Sequence, residues 1–330
     1  MVDLGMPQAP VDASKVPPLT EQTLADAKEI VARYPRPRSA LLPLPEPTRV
    51  QRAVSLGDRV FRRHLNHLRG ATRYPSETGR GTNLRERDMR VVISQIPVGR
   101  EVASNGEAIR SLLARAVAGD WVVFPEGALT GYFPGGADYL AKVEPAEAQA
   151  AIEGLHAVVA RRRCHALVGT ARFVSGAWRN SAVLLSHGGE VRWYDKNVLN
   201  PLDSRHFGAG DGLPVWEVDG VRVGVQICWE LLFPQQWARL KRDGAQIVFH
   251  LNNAVKPEDA VWEHLLRARA FENRYFVASA NNAASPQALP SYLIAPSGKT
   301  LLRSEPRVEQ ALGCLLDLSQ VESAWSWGRR

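Results

Sequence analysis

The pattern of apolar and polar positions changes at Met89. From that residue onward, short apolar runs of strand length alternate with longer amphipathic stretches of helix length. The predicted strands cover residues 91–97, 121–124, 166–170, 182–185, 191–194, 215–218, 221–227, 246–250, 275–280, 292–295 and 312–317. The predicted helices cover residues 145–163, 235–243 and 260–273, with one more after residue 104. This alternation predicts an α/β protein with a mixed sheet.

Local signals sharpen several of these elements. Ser104 and Glu107 match the capping-box pattern S-x-x-E, which predicts a helix start there and a helix whose apolar face extends to Val117. Glycine-containing pairs at residues 188–189 and 219–220 each join two predicted strands, so each pair predicts a β-hairpin. Hairpins among the helices indicate that the sheet is not purely parallel.

Residues 1–88 have a different pattern of apolar and polar residues. They are predicted to be an N-terminal extension and linker, with the main domain at residues 89–330. Helices are predicted at residues 23–34 and 50–69, so the extension is partly helical. His64 and His67 stand three apart in the second helix. Without a nearby carboxylate or cysteine, they indicate a polar helix face rather than a metal site.

Composition is typical of a soluble globular protein, with 45% apolar and 23% charged residues. No apolar run is long enough to cross a bilayer, and no secretory leader is evident at the N-terminus. The three cysteines are far apart and form no C-x-x-C pair. A disulfide framework is therefore not expected, and a cytoplasmic location is predicted.

The net charge of +7 suggests nucleic acid as a partner, but its distribution argues against this. Residues 1–88 carry 15 Lys/Arg and 10 Asp/Glu, whereas the other 242 residues carry 26 and 24. A nucleic-acid-binding domain should place its basic residues on its functional face. The main domain is nearly neutral, so nucleic acid is not expected to be its partner.

Three reactive side chains follow apolar strands, where sheet proteins often place active sites. Glu126 follows the run Trp-Val-Val-Phe, and partial burial there would raise its pKa into a useful acid–base range. Cys228 ends an apolar strand just before a helix, whose backbone N–H groups could activate a thiolate. Lys196 follows another strand and could stabilise negative charge. Each residue alone also fits an ordinary role: a surface carboxylate, a buried small hydrophobe and a solvated lysine.

Together, the contexts of these residues resemble the catalytic signature of the nitrilase, or carbon–nitrogen hydrolase, superfamily. The order is Glu, Lys, Cys, in the segments FPEGALTGY, WYDKNVL and ICWELLFP. Two further segments are similar to family motifs, residues 207–212 (F-x-x-G-D-G) and residues 267–273 (R-A-x-E-N). Asn281 resembles an asparagine that ends the next strand. The resemblance extends over residues 89–317.

This resemblance implies a four-layer αββα sandwich that forms homo-oligomers through its helical layer. It implies Cys228 as nucleophile, Glu126 as acid and base, and Lys196 with the Trp229 N–H as oxyanion stabilisers. No metal or organic cofactor is implied. Two positions depart from the family pattern. Asp203 stands where many relatives carry a second glutamate, and Lys196 is followed by Asn-Val-Leu instead of the more usual His-Leu.

The resemblance favours an amidase or carbamoylase that cleaves a small non-peptide amide. A nitrilase is the alternative, and a catalytically weak scaffold is the non-enzyme alternative. The absence of membrane-spanning runs and of a synthetase domain argues against the acyltransferase and glutaminase branches. Tyr132, Phe133, Trp229 and Asn253 are the candidate pocket residues, the first three as apolar walls. The sequence near these motifs contains no cluster of arginines that would indicate an anionic substrate.

Overall fold

The computed structural model describes residues 88–136, 138–254 and 261–323. Apart from Asp88, the predicted extension 1–88 lies outside the described residues, including its two helices and the pair His64 and His67. The boundary at residue 88 therefore stays a prediction. Among the described residues, no helix is long and apolar enough to cross a membrane.

The described residues form twelve strands and five α-helices. The strands are β1 (Asp88–Gln95), β2 (Asp120–Val123), β3 (His165–Val174), β4 (Ala177–Ser186), β5 (Val191–Asp195), β6 (Val215–Val218), β7 (Val221–Ile227), β8 (Ile247–Leu251), β9 (Phe276–Ala280), β10 (Tyr292–Ile294), β11 (Thr300–Arg303) and β12 (Gln310–Asp317). The helices are α1 (Val102–Leu113), α2 (Pro145–Arg162), α3 (Pro234–Arg242), α4 (Val261–Asn273) and α5 (Ser319–Ser323).

The strands form two six-stranded mixed sheets. The first has the order β12-β1-β2-β3-β4-β5 and the second the order β11-β10-β9-β8-β7-β6. Each has a parallel centre, β1-β2-β3 in one and β7-β8-β9 in the other, with antiparallel strands outside it. Parallel central strands are covered on both faces, which explains why these strands read as almost continuous apolar runs.

Two apolar layers hold the fold together. Along β1, Val91 and Ile93 point into the core between the sheets, whereas Val92 points toward α1 and α2. Helix α2 packs on β3 and β4, and α4 packs on β9 and β10. The two stacked sheets with helices on both outer faces confirm the predicted α/β, four-layer αββα arrangement.

The capping-box prediction is wrong. Helix α1 begins at Val102, so Ser104 lies inside its first turn, and no side chain caps the helix. The start is fixed by Asn105, whose amide exchanges hydrogen bonds of 2.9 and 3.0 Å with the backbone of Gly99. The same amide donates to the Leu129 carbonyl at 3.0 Å. A tertiary contact therefore sets this boundary, which a local sequence pattern cannot show.

Three other predictions need correction. Val117 lies beyond the end of α1 at Leu113 and is exposed. Strands β3 and β4 have 10 residues each and are therefore at least twice as long as predicted, and they meet at a tight turn, Ser175-Gly176. Strand β11 was not predicted, because its four residues are only half-buried at a sheet edge and lack a clear period of two. The hairpin turns predicted at residues 188–189 and 219–220 are confirmed.

Candidate active site

The three reactive residues singled out in the sequence lie next to one another. Glu126 follows β2 and Lys196 follows β5 in the first sheet, and Cys228 follows β7 in the second sheet. The Lys196 Nζ lies 3.0 Å from the Glu126 Oε1, and both side chains are completely buried. The site therefore lies where strand ends from the two stacked sheets meet.

Lys196 is held between two carboxylates. Its Nζ donates to Glu126 at 3.0 Å and to the Asp203 Oδ2 at 2.7 Å. Burial alone would lower the pKa of the Lys196 ammonium, but Glu126, Cys228 and Asp203 hold that pKa above its ordinary value. Lys196 is therefore a fixed positive charge in the buried interior, where charge acts most strongly.

Glu126 lies on a backbone turn that packs closely against β3. A Cβ at Gly169 would collide with the Pro125 carbonyl and lie 2.7 Å from the Gly127 nitrogen, so glycine is required there. The Glu126 Oε1 accepts a second hydrogen bond from the Asn180 Nδ2 at 2.8 Å. The Oε2 is buried and has no hydrogen-bond partner among the described residues.

Burial raises the pKa of the Glu126 carboxyl, and this outweighs the opposite influence of Lys196. A carboxyl group with a raised pKa can take up and return a proton near neutral pH. The unpartnered Oε2 supplies an acceptor for that proton. Glu126 is therefore the side chain best suited to acid–base chemistry in this site.

Cys228 lies on a strained turn between β7 and a short 3-10 helix, Cys228–Leu232. Its φ of 46° is in the left-handed region, which costs a residue with a side chain about 1–3 kcal/mol. Burial and Glu126 raise the pKa of the thiol, whereas Lys196 and the Asn253 backbone N–H lower it. Because the net direction is upward, the thiol needs a base to become the thiolate nucleophile.

His250 supports this turn from β8. Its Nε2 lies 3.1 Å from the Cys228 carbonyl oxygen, and its Nδ1 lies 2.9 Å from the Ser279 hydroxyl. A carbonyl can only accept, so the Nε2 donates and the Nδ1 accepts from Ser279. Burial, with Lys196 nearby, lowers the pKa of His250 to about 4. The imidazole is therefore neutral at pH 7.

This burial predicts a pH-dependent stability. The unfolded imidazole takes up a proton near pH 6.5, but the folded one does so only near pH 4. Stability should therefore fall as the pH falls from 6.5 to 4, by about 3 kcal/mol at most from this residue. We expect His250→Gln to reduce the dependence of the free energy of unfolding on pH, measured by denaturant unfolding from pH 7.5 to 4. The exposed His264→Gln should keep the wild-type pH dependence, and an unchanged pH dependence in His250→Gln would contradict the assignment.

Glu230 joins the nucleophile turn to the lysine loop. Its Oε2 accepts from the Ile227 N–H at 2.7 Å, and its Oε1 accepts from the N–H groups of Asn197 and Val198 at 2.7 and 3.2 Å. The Tyr194 hydroxyl donates to the same Oε1 at 2.7 Å. One buried carboxylate thus fixes Ile227, directly before Cys228, relative to Asn197, directly after Lys196.

Asp203 reaches Lys196 despite being shorter than the glutamate of many relatives. Its Oδ2 accepts from Lys196 at 2.7 Å and from the Asn200 N–H at 3.2 Å. Its Oδ1 accepts from the Tyr132 hydroxyl at 2.6 Å. Both Asp203 oxygens are therefore occupied. Tyr132, expected to be an apolar wall, also contributes a polar contact.

A cavity of about 460 Å³ opens at Cys228. Of the predicted pocket residues, Tyr132, Phe133 and Asn253 line it, but Trp229 does not. The remaining lining residues are Arg100, Pro134, Gly135, Gly136, Asn200, Leu202 and Gln287. The cavity is large enough for a small molecule and brings it to the thiol.

The other sequence segments that carried the resemblance lie around this site. The Gly210 N–H donates to the Lys196 carbonyl at 2.9 Å. The Arg269 guanidinium on α4 donates to the Leu231 carbonyl at 3.0 and 3.2 Å, which ties the helix to the nucleophile turn. These segments therefore support the strand ends that carry the reactive residues.

Several residues of the site had no role in the sequence analysis, among them Glu230, His250, Asn180 and Arg100. Glu230 stood two positions after the cysteine, and that spacing was an available signal. His250 was also visible as a single polar residue ending an apolar strand. Asn180 and Arg100 gave no signal, because their roles depend on contacts with residues distant in the chain.

Among the described residues, one group could supply three metal ligands: His165, His187 and Asp219. Both imidazole Nε2 atoms lie within hydrogen-bond distance of the same Asp219 oxygen, at 3.1 and 2.8 Å. The buried Nδ1 of His165 has no hydrogen-bond partner among the described residues, whereas a metal-bound histidine usually donates from its second nitrogen. The contacts therefore fit a hydrogen-bonded link between β3 and the β6–β7 turn. His165 begins β3, away from the Glu126 end of β2.

Comparisons with known proteins agree with this geometry. The profile of the carbon–nitrogen hydrolase family matches residues 61–324. An (R)-stereoselective amidase from Pseudomonas sp. is 31% identical over 210 residues, 62% of this chain and 76% of the relative. A probable nitrilase from Schizosaccharomyces pombe is 27% identical over 148 residues, 43% of this chain and 54% of the relative.

The fold also matches solved structures. One is a mutant of the amidase from Nesterenkonia sp. AN1, with a covalent acetamide moiety from fluoroacetamide at its active-site cysteine. It superposes with a TM-score of 0.64 at 23% identity, covering 72% of this chain and 94% of that chain. This similarity supports the αββα fold.

Proposed function

Because the chain belongs to the carbon–nitrogen hydrolase family, we propose that it hydrolyses a small non-peptide amide through a cysteine thioester. Hydrolysis of non-peptide carbon–nitrogen bonds follows from the family. The observation that carries the finer proposal is the buried Lys196 between Glu126 and Asp203, beside a cysteine that opens onto a cavity. A binding scaffold has no need to keep these buried charges, which are costly to desolvate.

In the first half of the reaction, Glu126 takes the thiol proton and Cys228 attacks the amide carbon. Lys196 and the Trp229 N–H stabilise the negative charge that develops on the amide oxygen. The tetrahedral intermediate collapses as Glu126 gives the proton to the nitrogen, which leaves as ammonia or an amine. The product is a thioester on Cys228.

In the second half, water attacks the thioester and Glu126 takes a proton from that water. The carboxylic acid leaves and the proton returns to the cysteine sulfur. Both oxygens of Asp203 already accept hydrogen bonds, so Glu126 has the only unpartnered carboxylate oxygen of the two. We therefore assign Asp203 to holding Lys196 and Tyr132 in place.

Support for the cysteine comes from a structural relative. The Nesterenkonia amidase forms its covalent adduct at an active-site cysteine. The relatives include an amidase and a probable nitrilase, so they do not decide whether the bond cleaved belongs to an amide or to a nitrile. A homo-oligomeric assembly and a cytoplasmic location stay predictions from the sequence.

We expect the amide to be the better substrate. Both reactions begin with thiolate attack, but a nitrile needs two additions of water, and Asp203 is shorter than the glutamate of many relatives and already accepts hydrogen bonds at both oxygens. The test compares kcat/KM for an amide and a nitrile of the same acyl group, across a panel that also includes carbamoyl compounds. A ratio in favour of the nitrile would make the nitrilase assignment the correct one.

A further inference from the structure

We propose that the cavity selects amides whose acyl chain ends in a carboxylate, and that Arg100 binds this carboxylate. The inference rests on the proposed amidase function and specifies its substrate class. The sequence has no arginine cluster near the motifs, but Arg100 is a single arginine that lies 26 positions before Glu126.

Backbone packing places Arg100 at the cavity. The residue lies between β1 and α1, and its guanidinium stacks over the Phe133 ring with 4.2 Å between the Cζ and the ring centroid. Gly131 has a φ of 80°, and a Cβ there would lie 2.7 Å from the Phe133 ring and 2.8 Å from the Gly99 carbonyl. Only glycine allows these two segments to approach so closely. The approach holds Arg100 over the aromatic wall.

Arg100 is the charged group of the cavity wall. Among the described lining residues it carries the one full positive charge, and none is acidic. Glu126 and Asp203 are buried and paired with Lys196, so they do not neutralise Arg100. The neighbouring Glu101 is exposed and does not line the cavity. Within the described residues, Arg100 has no ion pair, and its guanidinium contacts the Phe133 ring.

This arrangement suits a carboxylate better than other ligands. A guanidinium presents two parallel N–H groups that match the two oxygens of a carboxylate, and stacking on Phe133 leaves those edges free. The amide side chains of Asn200 and Gln287 also line the wall and can donate hydrogen bonds to a bound substrate. A substrate with its amide at Cys228 and a carboxylate at Arg100 would contact two residues that line the same cavity.

The test uses the full chain and amides that differ in their terminal group. Succinamate, glutaramate and adipamate are compared with their neutral methyl esters, and with ω-amino amides of matched length. At low salt, we expect the best carboxylate amide to exceed its ester in kcat/KM by about tenfold, which corresponds to about 1.4 kcal/mol. The ratio should fall as salt rises, because Arg100 is exposed.

The variants Arg100→Gln and Arg100→Glu test the residue itself. In Arg100→Gln, we expect the carboxylate amide to lose its advantage mainly through KM, so that its kcat/KM falls by more than that of the ester. Arg100→Glu should favour the ω-amino amide. Arg110→Gln, an exposed arginine of α1 outside the cavity wall, should behave as wild type.

The outcomes separate the two proposals. Equal kcat/KM for the carboxylate amide and its ester in the wild type, or equal losses on all amides in Arg100→Gln, would overturn the role of Arg100 and leave the amidase function standing. An absence of turnover on every amide would overturn the amidase function, and the carboxylate preference with it.

Discussion

Cys228→Ala is expected to reduce kcat by at least about 10⁴-fold, because no other described thiol opens onto the cavity. The same substitution should preserve the fold, since the side chain is small and the turn is held through its backbone by His250 and Glu230. Thermal unfolding and circular dichroism would check the fold, and ammonia release would check turnover.

Two measurements separate loss of the nucleophile from indirect damage. Intact-protein mass spectrometry during turnover should show the wild type with the mass of the acyl group added, and Cys228→Ala without it. Cys314→Ala, at a half-buried thiol on β12, should keep both the adduct and the rate within about twofold. A normal rate or a persistent adduct in Cys228→Ala would remove the thioester proposal.

Lys196→Met is expected to abolish measurable turnover and to lower the free energy of unfolding by about 3–5 kcal/mol. The methionine leaves Glu126 and Asp203 buried without their shared cation, and an unpaired buried charge is among the most costly defects in a fold. Urea unfolding near neutral pH would measure the stability loss, and ammonia release would measure activity.

The two losses should respond differently to a second substitution and to pH. Adding Asp203→Asn removes one of the unpaired charges, so Lys196→Met/Asp203→Asn should recover part of the stability but no activity. Without Lys196, the pKa of the buried Glu126 carboxyl should rise further, so the variant should be most stable when Glu126 is protonated. The stability gap to the wild type should therefore narrow as the pH falls. A Lys196→Met protein as stable as the wild type would show that the charges are not buried as described.

Sequence reasoning was most reliable where local pattern and chemistry coincide. Glu126 and Cys228 each follow an apolar strand, and such strand ends are readable because burial imposes a run of apolar residues. Lys196 follows β5, which is mostly half-buried and carries a weaker apolar signal. The apolar runs predicted an α/β protein with a mixed sheet, whereas the two-sheet αββα arrangement was implied by the family resemblance. Helix α1 was misplaced because its start depends on Asn105 bonding to distant backbone, a contact with no local signature.

The parts of the site that could not be predicted are the ones that depend on partners far apart in sequence. Arg100 and Phe133 are 33 positions apart and meet only because the chain packs closely at Gly131. Asn180 and Glu126 are 54 positions apart. A single sequence shows which residues could do chemistry, but not which distant residues hold or surround them.

The carboxylate of Glu230 has a consequence for how this enzyme could diversify. It fixes the nucleophile turn and the lysine loop as one unit, and its hydrogen bonds among the described residues involve neither Arg100 nor Gln287. Substitutions around those two residues can therefore change which molecule is accepted while the bond-breaking apparatus keeps its geometry. Descendants of this chain could explore new substrates by altering one wall at a time, and laboratory libraries confined to that wall should contain an unusually large fraction of active members.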